Sequence, residues 1–293
     1  MKKFREMRAK IISSQLKKPL VVFRETPLFQ YFCDDDRNDA ILIEKGTIQK
    51  MGSKMIDQEF VENIPDELCC SSMSYKNRKC TECDEDIQQC FLHPLLSEVE
   101  TIKKNNSQMR EIIISSLREN LRGSSEIEIR ERLMRDVYSG GFRLFYDPIV
   151  AGDINISEFW HRSKEYVPEK ILYVEISAMK DGLSSMFSET FIMNEDNKKI
   201  DDYSSILKGE EFIRENFVEG KTTEDLSPLE NFRNKEIYLT TPLFPYSHIP
   251  FPGENVMIHT MDISVFDLWI MRKDYTIRKK ITAVAGSHRA TIL

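Results

Sequence analysis

Four residues spaced Cys80-x2-Cys83-x6-Cys90-x2-His93 offer two ligand pairs. A two-residue gap lets one turn of chain aim two side chains at one ion, and thiolates with imidazole suit tetrahedral zinc. A structural zinc site at Cys80, Cys83, Cys90 and His93 is expected, with unliganded thiols as the plain alternative. The six cysteines, at positions 33, 69, 70, 80, 83 and 90, all lie in the first third of the chain. A disulfide scaffold would spread them through a short secreted chain, so reduced thiols or a metal fit better. A redox pair fits poorly, because Cys80 follows SYKNRK rather than a strand.

A second set is built on carboxylates. Glu175 interrupts the apolar run ILYVEISAMK, Asp147 and Asp153 lie upstream in FYDPIVAGD, and Lys180 follows. Carboxylates from neighbouring strands can hold Mg²⁺ or Mn²⁺ while a lysine orients the attacking water. Between Asp147 and Lys180 this layout resembles that of PD-(D/E)xK nucleases. The resemblance implies metal-dependent phosphodiester cleavage by Asp153, Glu175 and Lys180. That family's pattern places the lysine two residues after the glutamate, where this chain has Ser177. A surface glutamate on a sheet is the alternative.

Other signatures are missing. Gly220-Lys221-Thr222 resembles the end of a P-loop, but position 215 is Glu215 rather than glycine and no strand leads in. No histidine is followed by glutamate, and no G-x-S-x-G occurs, so zincin helices and serine-hydrolase elbows are excluded. His248 lies in the proline- and aromatic-rich stretch TPLFPYSHIPFPG, which reads as an ordered loop.

These residues sit in a chain of 293 with net charge −7, 41% hydrophobic and 10% aromatic residues. That composition builds a core and argues against a general nucleic-acid coat. No apolar run reaches the length of a membrane span, and no signal-peptide pattern opens the chain. A cytoplasmic or nuclear location is expected. Residues 1–18 carry seven Lys/Arg and one Glu. Phe4, Met7, Ile11, Ile12 and Leu16 fall at helical spacing. A helix docked on its own domain is expected, with a nucleic-acid-binding basic arm as the sharper reading. An excess of Ile over Ala suggests AT-rich coding, as in a parasite or a large virus.

The elements that must position these residues follow from periodicity. Leu20–Arg24 and Ala40–Glu44 read as strands, with a tight turn at Lys45-Gly46, and Met55–Ile64 as a short helix. Helical spacing runs from Pro94 to Ser139, with a capping box at Ser125 and Glu128. Ile171–Met179 and Met186–Met193 read as a hairpin around Asp181-Gly182. Asn194–Lys198 reads as a turn and Glu210–Phe217 as a short helix. Val256–Ile263, Phe266–Arg272 and Thr276–Val284 read as a meander. The expected class is α+β: a mixed, Cys-rich region 1–93, a helical segment 94–139 and a β-rich region 140–293. With no catalytic signature, the expected function is a non-catalytic interaction or assembly protein with a protein partner or self-association. The alternatives are the nuclease and a zinc-bearing nucleic-acid-binding regulator.

Overall fold

The computed structural model describes residues 3–16, 18–24, 27–33, 39–52, 69–70, 86–87, 90–91, 93–118, 122–158, 160–194, 196–231, 237–240 and 255–293. The expected helix at 55–64 and loop at 241–253 lie outside them. The chain divides into two compact units, the first comprising Met1–Thr101 with Asp181–Leu183 and the second most of the remainder. The helical stretch expected over 94–139 is therefore shared between the two. Mixed helix and antiparallel sheet bear out the α+β class.

In the first unit, α1 (Lys3–Gln15), β1 (Leu20–Phe23), α2 (Pro27–Phe32), β2 (Ala40–Glu44), β3 (Thr47–Met51) and β4 (Cys69–Cys70) form a sheet ordered β3-β2-β1-β4 with its helices. The β2–β3 hairpin turns at Lys45 (φ 48) and Gly46 (φ 75), the left-handed pair that a two-residue turn requires. Phe4 and Ile12 of α1 and Leu16 just beyond it are buried, but Met7 of the expected stripe is exposed while Arg5 and Arg8 are buried. Arg8 makes an ion pair with the fully buried Glu98, Nε to Oε1 at 3.1 Å, and stacks 4.7 Å from the Phe91 ring centroid. Tyr31 also donates to Glu98, and Leu95 N donates to its other oxygen at 2.7 Å. The basic arm is thus corrected: two of its arginines are spent inside the unit, which leaves the nucleic-acid reading unsupported.

The Cys-rich description of this region is corrected as well. Among the described residues it is an apolar core and the Arg8–Glu98–Tyr31 network that hold it, and Cys33 and Cys90 are buried in it. The tip of a later hairpin completes the unit. Asp181 (φ 58) and Gly182 (φ 80) make its turn, and the Asp181 carbonyl accepts from Arg5 at 3.0 Å. A Cβ on Gly182 would lie 2.4 Å from the Tyr31 Cα, so only glycine fits.

The second unit carries α3 (Leu96–Arg118, from Ile102 on), α4 (Glu126–Ser139), β5 (Arg143–Leu144), β6 (Ile149–Gly152), β7 (Ile171–Lys180), β8 (Leu183–Ile192, from Ser184 on) and α5 (Asn197–Asn216). β9 (Ile237–Thr240), β10 (Ile263–Met271), β11 (Thr276–Val284) and β12 (Thr291–Ile292) complete it. β7 pairs with β5, β6 and β8, and a second sheet runs β12-β11-β10-β9. The capping box forms as read: Ser125 Oγ accepts from Glu128 N, and Glu128 accepts from Ser125 N. The helix expected at 210–217 starts earlier, because the Asp196 side chain caps Lys198 N and Lys199 N. The strand expected at 256–263 is absent until Ile263, so the meander reduces to β10, β11 and β12.

Alternation along the strands decides what faces what. Leu172, Val174, Ile176 and Ala178 of β7 pack with Met109 and Ile113 of α3 and Ile129, Leu133 and Val137 of α4. A second core joins Ile206 and Ile213 of α5 to Phe266, Leu268 and Ile270 of β10 and Ile277 and Ile281 of β11. The period of two then sends Glu175, Asp267, Arg278 and Lys280 away from those helices.

Candidate functional site

Four charges meet where β7, β10 and β11 come together. Glu175, Asp267 and Arg278 are at most 1% exposed. The sheet register sets Lys280 opposite Asp267 and Arg278 opposite Trp269. Glu175 Oε1 accepts from Lys280 Nζ and from the Tyr146 hydroxyl, each at 2.7 Å. Its Oε2 accepts from the Tyr173 hydroxyl at 2.6 Å and lies 3.5 Å from an Arg278 nitrogen. Arg278 grips Asp267 side-on, Nε at 3.1 Å and Nη2 at 2.7 Å. The guanidinium is flanked by the Trp269 ring at 4.0 Å and the Tyr173 ring at 5.0 Å. Ser188 on β8 donates to the Tyr173 hydroxyl at 3.0 Å and accepts from Lys280 N at 2.9 Å.

Burial and charge compete differently at the two carboxylates. Burial pushes the Glu175 pKa up, but Lys280 and Arg278 outweigh it and hold the group below its ordinary value. At Asp267 burial wins against Arg278, and the pKa is raised. Burial and the Glu175 charge push the Tyr146 and Tyr173 hydroxyls up, so both stay protonated donors. From Tyr146 the cluster reaches the surface: the exposed Trp160 ring stands edge-on to it at 5.7 Å.

The carboxylate residues expected to act together are separated. Asp153, at φ 50, accepts from the Tyr166 hydroxyl at 2.6 Å and from the backbone N of Glu169, Lys170 and Ile171. It fastens the start of β7. Lys180, at the other end, donates to Gln108 at 2.8 Å and to the Gly140 carbonyl at 2.7 Å. At about 3.3 Å per residue the two ends of β7 lie roughly 30 Å apart, so Asp153 and Lys180 cannot share an ion with Glu175. Asp147 is exposed. Nor does the chemistry at Glu175 fit a divalent ion, since organic cations already engage both carboxylates. The tempting Gly220-Lys221-Thr222 is chance: each backbone N–H already donates within the unit, Gly220 to Ile258 O at 3.0 Å.

In the zinc set, Cys80 and Cys83 lie outside the described residues. The buried Cys90 thiol donates to Asp86 O at 3.1 Å, and burial pushes its pKa up to about 11, so it holds its proton. His93 is exposed, and its carbonyl accepts from Arg8 at 3.2 Å. In the second unit two ligand types do meet: His259 Nδ1 lies 3.7 Å from Asp262 Oδ2. No helix among the described residues is long and apolar enough to cross a membrane.

Sequence reasoning passed over Asp267, Arg278, Lys280 and Tyr146. A signal was there. ISVFDLWIM and TIRKKITAV are β-prone runs in which charge falls on the face that period two should bury, just as Glu175 does in ILYVEISAMK.

No family model matches the chain, and neither does any curated protein. Solved structures do. The X-Pro aminopeptidase of Thermotoga maritima superposes with a TM-score of 0.75 at 12% identity, covering 94% of each chain. The prolidase of Pyrococcus horikoshii gives 0.73 at 12% identity, covering 98% of this chain and 97% of its own. The Xaa-Pro dipeptidase of Bacillus anthracis gives 0.71 at 13% identity, with 98% and 97% covered. At these identities the likeness is one of fold. It overturns the reading as an interaction or assembly protein of viral or parasite type, because the folds that match end to end are those of peptidases. The nuclease and the nucleic-acid regulator find no support in it.

Proposed function

We propose that this chain acts on peptides, and that Xaa-Pro dipeptides are the ligands it takes first. The observation that carries the reading is the end-to-end likeness to the prolidase and the X-Pro aminopeptidase, over at least 94% of this chain. A local feature supports it. Trp160 is 65% exposed and stands edge-on to Tyr146, whose hydroxyl bonds Glu175. An exposed indole beside a phenol gives a proline ring a flat apolar face, and proline brings little conformational entropy to lose. The buried charges behind Tyr146 fix that ring in place.

Calorimetry with Gly-Pro and Ala-Pro against Gly-Ala tests the reading, with proline release followed in parallel with and without Mn²⁺. The expected result is saturable, proline-selective binding that weakens about tenfold, or about 1.4 kcal/mol, in Trp160→Ala. Neither binding nor release with any Xaa-Pro peptide would sink it.

A further inference from the structure

Each cation of the buried cluster faces both carboxylates. Lys280 Nζ lies 2.7 Å from Glu175 Oε1 and 4.0 Å from Asp267 Oδ2. Arg278 Nη2 lies 2.7 Å from Asp267 Oδ2 and 3.5 Å from Glu175 Oε2. Two carboxylates from strands of different sheets are thus bridged twice, and both bridges come from one strand, β11. The charges cancel within the cluster, and the four side chains are at most 7% exposed.

An oxygen-rich pair of this kind, stripped of its cations, is a hard-ligand site. We infer that Lys280 and Arg278 are the resident counter-cations of a two-carboxylate site, which excludes divalent metal in the native chain and accepts it once both are neutralised. The ammonium and guanidinium occupy the positions from which an ion would bridge Glu175 and Asp267. With both removed, two buried carboxylates face each other uncompensated, and their repulsion favours uptake of Mn²⁺ or Mg²⁺. The inference does not rest on the peptide reading, since its probe is the metal alone.

The test is a Mn²⁺ titration by calorimetry, with melting temperature read with and without the ion. Four full-length proteins are compared: wild type, Glu175→Gln, Lys280→Ala/Arg278→Ala, and that double variant with Glu175→Gln and Asp267→Asn added. Wild type and Glu175→Gln should give the same titration, because the native site takes no metal. The double variant should bind Mn²⁺ at least about tenfold more tightly than the neutral quadruple variant and melt higher in its presence. Should the double variant fail to fold, the bulkier Lys280→Met/Arg278→Met pair is read in the same way against that pair with Glu175→Gln and Asp267→Asn added. Wild-type Mn²⁺ binding that disappears in Glu175→Gln would overturn the inference. So would a folded double variant no better at binding than the quadruple.

Discussion

Two buried carboxylates of the second unit, Glu126 and Glu175, are both fully inside and both fully bonded, yet by opposite means. Glu126 Oε1 accepts from Gly152 N and Asn155 Nδ2, and its Oε2 from Lys164 N and His161 Nε2, all between 2.7 and 2.9 Å. Backbone and loop groups do most of that work, and the carboxylate pins Gly152, Asn155, His161 and Lys164 to the start of α4. Glu175 instead draws on side chains alone, with Lys280 lying 105 residues away in sequence. A carboxylate held mainly by backbone and loop N–H groups is a fastener. One held by replaceable full charges is a balanced site, and only the second can be rebuilt by point substitution.

The sharpest way to break that contrast is Arg278→Met. It leaves Asp267 charged at 0% exposure without its main partner, and should cost about 3–5 kcal/mol by chemical denaturation. Adding Asp267→Leu should return much of the loss, since an apolar pair of similar volume is tolerated where a broken ion pair is not. Glu126→Gln should cost less, about 1–3 kcal/mol, because the partners left short are mostly neutral donors.

The pH dependence separates the two carboxylates further. Burial alone would lower the His161 pKa, but its bonds to Glu126 and Glu158, the latter at 2.8 Å, carry it above 6.5. His161 therefore contributes stability that is complete below pH 6.5 and is lost as pH rises through its folded pKa. At Glu126, burial raises the pKa but the bonds from His161, Asn155 and the backbone lower it more, to below 4.5. Its share is present above 4.5 and lost as pH falls through the folded value. The stability gap between wild type and His161→Gln should thus be widest between these limits and shrink as pH rises through the folded His161 pKa. A gap that widens from pH 7 to pH 9 would contradict the geometry. The smallest effect is local: Ser125→Ala removes the α4 cap and should cost about 1 kcal/mol, leaving the Glu175 cluster unaltered.

Local pattern made much of this fold legible. The capping box, the Lys45-Gly46 and Asp181-Gly182 turns and the β10–β11 hairpin all depend on residues a few positions apart, and all stand where they were read. The site did not yield in the same way. Glu175 was singled out, but periodicity carries no information on which strand will lie beside β7. Nearness in sequence points to Asp153 and Lys180, whereas its counter-charges come from β11. Likewise Arg5 and Arg8 read as a solvated basic face, because the buried Glu98 that accepts Arg8 lies 90 residues on. Charge pairing across long loops is set by topology, and topology became visible only with the whole chain folded.

The glycine at the β7–β8 turn bears on synthesis. The first unit is not finished by its own first hundred residues: Arg5 waits for the Asp181 carbonyl, and the Tyr31 backbone closes on Gly182. A ribosome must therefore have passed Gly182 before the N-terminal unit has all its contacts. Chain closure over so long a separation is slow and leaves apolar surface waiting. Nascent chains stalled before residue 182 should be protease-sensitive in α1 and α2, and those stalled well beyond it protected, with Gly182→Val delaying that protection.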